Sequence, residues 1–189
     1  MRIAFKEWSV VIDALATGNQ IVLLRKGGIA EPRGGFRVEH GRFLLFPTQF
    51  HQQRDGVIEA AQNRFDQLQA KRTPQDDSRV RIAYVADVVA WRKIPSLEVA
   101  QRLEGQHIWQ PAVIESRFDW GGEAAIHAMA LRVWGLPKPA ELSMLPSYGG
   151  CRSWIELGVD VDDRGGYPVL SDAEFTSRLE AFHQILSPE

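Results

Sequence analysis

A basic, glycine-rich loop is the first part of the sequence whose residue types could do chemistry. Arg25 and Lys26 directly precede Gly27 and Gly28, and Arg33 follows shortly after them. Glycines let neighbouring backbone N–H groups converge on an anion, and adjacent Arg and Lys side chains add positive charge. The string is not a P-loop, which requires Gly-Lys-Ser/Thr at the start of a helix. It predicts either a phosphate-binding loop or a basic hairpin turn that faces solvent.

The string YGGCRSW at residues 148–154 is the second candidate. Tyr148, Arg152 and Trp154 around a Gly-Gly bend could form an aromatic platform with a guanidinium, on which a nucleic-acid base stacks. Cys151 would act as a nucleophile only beside a histidine in an electropositive setting. The alternative interpretation is a tight turn whose Tyr and Trp side chains fill the core.

Acids and histidines around the second predicted strand suggest a third kind of chemistry. Glu39, His40 and His51 flank that strand, and together with Glu7 they could form a divalent metal site or an acid–base pair. The spacing fixes no third ligand, unlike a helical His-Glu-x-x-His motif. Capping of loops and hydrogen bonding in the core explain the same residues more simply. Outside this hypothesis we predict no metal and no cofactor.

Length and composition indicate an ordinary globular protein. The 189 residues are 44% hydrophobic and 24% charged, which suits a single domain over 1–189 with a possible division into halves near 73–78. The single cysteine excludes an intrachain disulfide and a thiolate zinc cluster. No signal peptide and no apolar window of membrane-spanning length is evident, so we expect a cytoplasmic protein with no membrane association.

The net charge of −2 hides an uneven distribution. Residues 20–54 hold six basic against two acidic side chains, whereas residues 150–189 hold three arginines against eight acids. Such an asymmetry orients an anionic partner toward the N-terminal part of the chain. The chain as a whole is not basic enough for a dedicated duplex-DNA binder, which needs many phosphate contacts.

Hydrophobic periodicity and turn signals predict an α+β fold with a mixed or mainly antiparallel sheet and helices at both chain ends. The predicted helices span about 5–16, 54–71, 96–105 and a C-terminal segment that begins with a capping box at Ser171. Residues 107–118 are ambiguous, since Pro111 could open a helix over 112–118. The predicted strands are 21–28, 42–48, 80–91 and 125–136, the last one closed by Pro137 and Pro139.

Several sequence blocks together resemble an uncharacterised bacterial family, the domain of unknown function numbered 1802. They are KEWSVVIDAL, LLRKGGI, FLLFPTQFHQ, HIWQPAVIESRFDW, LRVWGLPKP and YGGCRSWIEL, and they cover nearly the whole chain in the family's order. The resemblance implies no established activity, substrate or catalytic residue.

Two remoter resemblances concern the fold. The long strand AYVADVVAW, a helical excursion and a strand leading to LPKPAELSML are similar to PUA-like and ASCH-like modules, small β-barrels that commonly bind RNA or modified bases. The opening helix with Glu7 followed by strands distantly resembles the restriction-endonuclease-like fold. That fold's signature places an acid two residues before a lysine, and none of the five lysines here meets this condition.

Two functional hypotheses follow, from different classes. The first is a non-catalytic binding module for a phosphate-bearing ligand: RNA, another single-stranded nucleic acid or a nucleotide. The second is a divergent metal-dependent phosphodiesterase or nuclease-like enzyme that uses Glu7, Glu39, His40 and His51 with Mg²⁺, Mn²⁺ or Zn²⁺. An interface for a protein partner is a third possibility, and the sequence leaves the oligomeric state open.

Overall fold

A computed structural model describes residues 1–26, 37–49, 52–71, 73, 78–120 and 124–187. Within these ranges the strands are β1 (Ile3–Trp8), β2 (Val22–Arg25), β3 (Arg42–Thr48), β4 (Arg79–Ile94), β5 (Ile126–Ser143), β6 (Trp154–Glu156) and β7 (Tyr167–Pro168). The α-helices are α1 (Ser9–Ala16), α2 (Glu59–Ala70), α3 (Leu97–Gln101), α4 (Pro111–Asp119) and α5 (Asp172–Leu186). Short 3-10 turns lie at Arg54–Gly56 and Pro146–Tyr148.

The strands form one mixed sheet in the order β2-β5-β4-β3-β1-β6, with β7 added alongside β5. Strands β1 and β3 pair in parallel, and every other strand pair in the described ranges is antiparallel. The predicted α+β class with a mixed, mainly antiparallel sheet is therefore confirmed. Strands from both sides of the predicted division near 73–78 join this one sheet, through the β3–β4 pair.

The first element is a strand, and the prediction of a helix from Phe5 was wrong. Residues of β1 pair with β3 on one side and with β6 on the other, so Ala4 lies opposite both Leu44 and Ile155. The apolar residues Phe5 and Trp8 fit helical spacing equally well, but pairing on both edges of the segment overrides that local pattern. The helix begins only at Ser9.

Strand β5 continues to Ser143, although Pro137 and Pro139 were expected to end it. Its register against β4 shifts between Gly135, opposite Tyr84, and Ala140, opposite Ile82. Both prolines fall in this irregular stretch, where the missing N–H groups interrupt no regular ladder.

Side chains on the two faces of the sheet enter two separate cores. Phe5, Phe43 and Leu45 belong to the larger core beneath the helices, while their neighbours on the strands, Ala4 and Leu44, belong to a smaller one. This alternation is the period of two that a strand buried on both faces must show. The smaller core is completed by residues of the segment that follows β5, including Tyr148, Leu157 and Val161.

Three predicted helix boundaries are confirmed by their caps. Ser171 and Glu174 form a reciprocal capping box at the start of α5. The Ser96 side chain accepts a hydrogen bond from the backbone N–H of Val99 at the start of α3, and Pro111 is the first residue of α4. These signals are local, so they need no knowledge of the tertiary fold.

Arg25 joins strands that are not neighbours in the sheet. It ends β2, which is separated from β1 by β5, β4 and β3 in the strand order. Its guanidinium nevertheless forms an ion pair with Glu7 of β1 (Nη1 to Oε2, 3.3 Å) and donates to the Oγ of Ser153, just before β6 (2.8 Å). The sheet is therefore curled, so that its β2 edge approaches the β1–β6 edge.

Among the residues that the structure describes, no helix combines the length and the apolar character needed to cross a bilayer.

The end of α1 gives a test of local backbone strain. Gly18 has φ +70°. Its N–H donates to Leu15 O, and the N–H of Asn19 donates to Ala14 O, which are the two hydrogen bonds of a Schellman motif. A Cβ at Gly18 would lie 2.5 Å from Leu170 Cδ2. We expect Gly18→Ala to lower the free energy of unfolding by about 1–2 kcal/mol in urea denaturation.

Gly41→Ala is the matched control for this substitution, because a Cβ at Gly41 meets no atom within 4 Å. We expect it to change the free energy of unfolding by less than about 0.5 kcal/mol. Equal effects of the two substitutions would contradict the assigned strain at Gly18.

The Glu7–Arg25 pair gives a test of the curled sheet. Glu7 is only 2% exposed, so Arg25→Met would leave an unpaired carboxylate inside the protein. We expect a loss of about 3–5 kcal/mol in the free energy of unfolding, because the buried charge then lacks its partner. The double variant Glu7→Gln, Arg25→Met should recover part of that loss, and a loss below about 1 kcal/mol for Arg25→Met alone would contradict the assignment.

Candidate anion-binding site

A cavity of about 580 Å³ opens where the two ends of the curled sheet approach each other. Its walls come from the end of β1, the end of β2, α4 with the residue after it, and the segment 144–153. Among the described residues, the charged side chains around it are five cations and one carboxylate: Lys6, Arg25, Lys26, Arg117, Arg152 and Glu7. The excess of positive charge suits an anion.

Glu7 and Arg25 form one side of the cavity. The Glu7 carboxylate accepts a hydrogen bond from the backbone N–H of Trp8 (2.7 Å) in addition to its ion pair with Arg25. The guanidinium also donates to the carbonyl of Lys6 (3.3 Å) and lies 4.9 Å from the ring centre of Phe5. Its Nε is buried and has no hydrogen-bond partner among the described residues. Arg25 is thus engaged mainly with the protein itself.

Lys6 holds the turn that carries the second predicted string. Its Nζ donates to the carbonyl oxygens of Tyr148 and Gly150, both at 2.8 Å. Burial lowers the pKa of the Lys6 ammonium; nearby Cys151 opposes the shift, and the charges of Arg152 and Arg25 add to it. The bonds to two carbonyls leave the positive charge of Lys6 uncompensated, so it still contributes to the field in the cavity.

Lys26 is anchored in a similar way on the opposite side. Its Nζ donates to the carbonyls of Phe118 (2.6 Å) and Ala125 (2.9 Å), which lie at the end of α4 and just before β5. These bonds connect the end of β2 to both elements. Lys26 therefore supplies charge to the cavity from a fixed position.

Arg117 differs from these three cations. It projects from α4, is partly buried, and its Cζ lies 3.8 Å from the ring centre of Trp109. It forms no hydrogen bond or ion pair with any residue in the described ranges. Burial lowers its pKa to about 10, an effect opposed by Glu7 and reinforced by Arg25. The group stays cationic at neutral pH, with its donors available to a ligand.

The turn 149–152 lines the opposite wall. Gly150 has φ +80°, a left-handed conformation that favours glycine. The N–H groups of Gly150, Cys151 and Arg152 donate to no acceptor in the described part of the chain. The side chain of Arg152 is exposed and also lacks a partner there, and the thiol of Cys151 is free and exposed. The turn therefore offers several donors to an anion in the cavity.

Apolar and aromatic side chains complete the walls. Trp120, directly after α4, is 48% exposed, and Met144 is 40% exposed. Trp8 is half-buried, with its ring packed edge-on against Trp109 at 4.8 Å between ring centres. Such faces suit the flat, apolar part of a ligand whose anionic part lies among the cations.

Four of the five predicted binding residues that the structure describes line the cavity, but the aromatic ones have other roles. Arg25, Lys26, Tyr148 and Arg152 all line the cavity. The Tyr148 side chain is 2% exposed overall, its ring packs on Phe46, and its hydroxyl accepts a hydrogen bond from the N–H of Gly158.

The ring of Trp154 is partly buried and packs against the larger core. It lies edge-on against Phe5 and Phe43, at 4.7 and 5.0 Å between ring centres, and it does not line the cavity. The turn interpretation, in which the Tyr and the Trp fill the core, agrees with these positions. Gly27, Gly28 and Arg33 lie outside the described residues.

The described structure does not bring together the residues that were predicted to bind a metal. Glu7 is paired with Arg25, Glu39 is exposed, and the ring of His40 packs edge-on against Trp154 at 5.2 Å. No group of three potential metal-ligating side chains occurs in the ranges that the structure covers. His51 lies outside those ranges, so the metal hypothesis stays a prediction.

Sequence reasoning missed several of the residues around the cavity. Lys6 was placed on a helix, and Arg117 was seen only as part of a helical segment. Trp120, which is 48% exposed in the cavity wall, belongs to none of the predicted sites. No local pattern marks these residues, because only the curling of the sheet brings β1, α4 and the turn 149–152 together.

Three solved structures resemble this fold. The crystal structure of ASCH from Zymomonas mobilis is 12% identical in sequence, with 95% of this chain and 93% of that chain covered and a TM-score of 0.47. Two crystal structures of mutants of the same protein match with TM-scores of 0.46 and 0.45, at 12% and 14% identity; both cover 95% of this chain, and 94% and 96% of theirs.

No curated protein matches the chain in sequence. A family model does match, over residues 4–181, and its description is "Domain of unknown function (DUF1802)". Because the match spans nearly the whole chain, this protein belongs to the DUF1802 family.

Proposed function

We propose that the protein is a binding module for a phosphate-bearing ligand, a nucleotide or a single-stranded nucleic acid, which it holds in the 580 Å³ cavity. The observation that carries this proposal is the state of Arg117. Its guanidinium is partly buried beside a second guanidinium, that of Arg25, and has no acceptor among the described residues.

An unpaired, partly buried cation is costly for the folded protein. Burial removes water from the guanidinium and the like charge of Arg25 adds repulsion, and the attraction of Glu7 offsets these effects only in part. A phosphate bound against Arg117 would offset both effects, because planar guanidinium donors match phosphate oxygens in pairs. The exposed Arg152 on the facing turn would add a second such contact.

The other wall of the cavity suits a nucleobase. The exposed face of Trp120 is available for stacking, and stacking of bases on aromatic rings tolerates any base. Tyr148 and Trp154 do not serve this purpose, because the Tyr148 ring is buried against Phe46 and the Trp154 ring packs against the core outside the cavity. In this arrangement Trp120 takes the role that the sequence suggested for the aromatic residues of 148–154.

The charge of Arg117 gives the direct test of the proposal. We expect Arg117→Gln to weaken the binding of a short, fluorescently labelled single-stranded oligonucleotide by at least about tenfold at low salt, measured by fluorescence anisotropy. Arg152→Gln should also weaken binding, and because Arg152 is exposed its loss should leave the thermal unfolding temperature unchanged.

Arg164→Gln is the matched control, since it removes the same charge from an exposed residue that does not line the cavity. Its affinity should equal that of the wild type. If Arg117→Gln and Arg152→Gln both bind as the wild type does, or if the wild-type protein binds neither the oligonucleotide nor a nucleoside monophosphate at low salt, the proposal is wrong.

Salt dependence gives a second test. Binding of single strands releases counterions, so the logarithm of the affinity should fall linearly with the logarithm of the salt concentration, by about 0.7 for each phosphate neutralised. We expect Arg152→Gln to reduce this slope by about that amount, and Arg164→Gln to leave it unchanged. A slope that is the same in all three proteins would show that the contact with Arg152 does not form.

A further inference from the structure

We infer that the cavity selects a terminal phosphomonoester attached to a nucleoside, rather than an internal phosphodiester of a strand. The inference rests on the proposed function and assigns its ligand class. A free nucleoside monophosphate and the phosphorylated end of a single strand share this chemistry.

The hydrogen-bond donors around the cavity that have no acceptor in the described ranges favour a phosphomonoester. Two guanidiniums, those of Arg117 and Arg152, have no acceptor in the described ranges, and three successive N–H groups of the turn 150–152 are also free there. A phosphomonoester offers three strong acceptor oxygens and about −1.5 to −2 charges at pH 7. An internal diester carries a single charge and fewer free oxygens, so it would leave more of these donors unused.

The cations that are bonded to the protein itself also favour a phosphomonoester. Lys6, Arg25 and Lys26 are held by protein carbonyls or by Glu7, and they set a positive field without presenting all their donors to a ligand. A doubly charged group gains more from such a field than a singly charged one, because the Coulomb energy scales with the ligand's charge.

The size of the cavity fits one nucleotide. Its volume of about 580 Å³ lies within the range of roughly 300–1,000 Å³ that encloses a drug-sized ligand, which is the size of a nucleoside monophosphate. The cavity therefore has room for a nucleoside monophosphate or for the terminal nucleotide of a strand.

The titrating side chains around the cavity allow a clean pH experiment. The ones that line it are Lys6, Glu7, Arg25, Lys26, Arg117, Tyr148, Cys151 and Arg152, with no histidine among the described lining residues. The second proton of a phosphomonoester dissociates near pH 6. A change in affinity between pH 7.5 and 5.5 would therefore report on the ligand.

The test compares one oligonucleotide with a terminal phosphate to the same oligonucleotide with a terminal hydroxyl, and adds uridine and adenosine monophosphates and their nucleosides as competitors. We expect the phosphorylated strand to bind at least about tenfold more tightly, and the monophosphates, but not the nucleosides, to compete. In Arg117→Gln and Arg152→Gln this preference should shrink, while in Arg164→Gln it should persist.

Lowering the pH from 7.5 to 5.5 should weaken the binding of the phosphorylated ligands by about fourfold, because the phosphate dianion becomes protonated. The affinity for the hydroxyl-ended strand should not change. Free nucleotides that bind as tightly as the strand end would identify a nucleotide ligand, and a strand end at least tenfold tighter would identify an RNA or DNA end. Both results support the inference.

Equal binding of the phosphorylated and hydroxyl-ended strands, with no dependence on pH, would overturn this inference and leave the proposed function intact. If none of these probes binds at low salt, the inference and the proposed function both fail.

Discussion

The ion pair between Glu7 and Arg25 is the constraint on which the rest of the structure depends. It links β1 to β2 across a gap that no strand pairing closes, since β5, β4 and β3 lie between them in the sheet. A carboxylate that is 2% exposed needs a cationic partner and hydrogen bonds to offset its desolvation. The ion pair with Arg25 therefore holds the two ends of the sheet together, and the cavity lies where they meet.

The cations around the cavity fall into two groups that differ in their bonds to the protein. Arg25, Lys6 and Lys26 connect elements: they bind Glu7, the carbonyls of the turn after β5, and the carbonyls at the end of α4 and before β5. Arg117 and Arg152 connect nothing in the described ranges. Removal of Arg25 therefore perturbs folding and binding together, whereas Arg152 can be changed with little effect on the fold.

Local signals in the sequence were sufficient for the caps at Ser171 and Ser96 and for the general class of the sheet, because each depends on residues close in the chain. They failed at β1, where helical spacing of Phe5 and Trp8 competed with pairing to two distant strands, and in β5, where a shift in register accommodates both prolines. Likewise Arg25 and Arg152 were each identified from their own strings, but that they share a cavity depends on non-local contacts. Arg117 carried no local signal, since an arginine on a short amphipathic helix is ordinarily solvated.

Ion pairs neutralise part of the uneven charge distribution that the sequence shows. The acid-rich segment 150–189 suggested a dipole along the whole chain, yet four of its acids pair with arginines: Asp160 with Arg2, Asp162 with Arg164, Asp163 with Arg42, and Asp172 with Arg132. Neutralised pairs contribute little field beyond a Debye length of about 8–10 Å. The attraction for an anion then comes from the cavity itself, whose lining, as far as the structure describes it, holds five cations and one carboxylate. A protein with a net charge of −2 can in this way offer a locally cationic site without the overall basic surface that duplex binding requires.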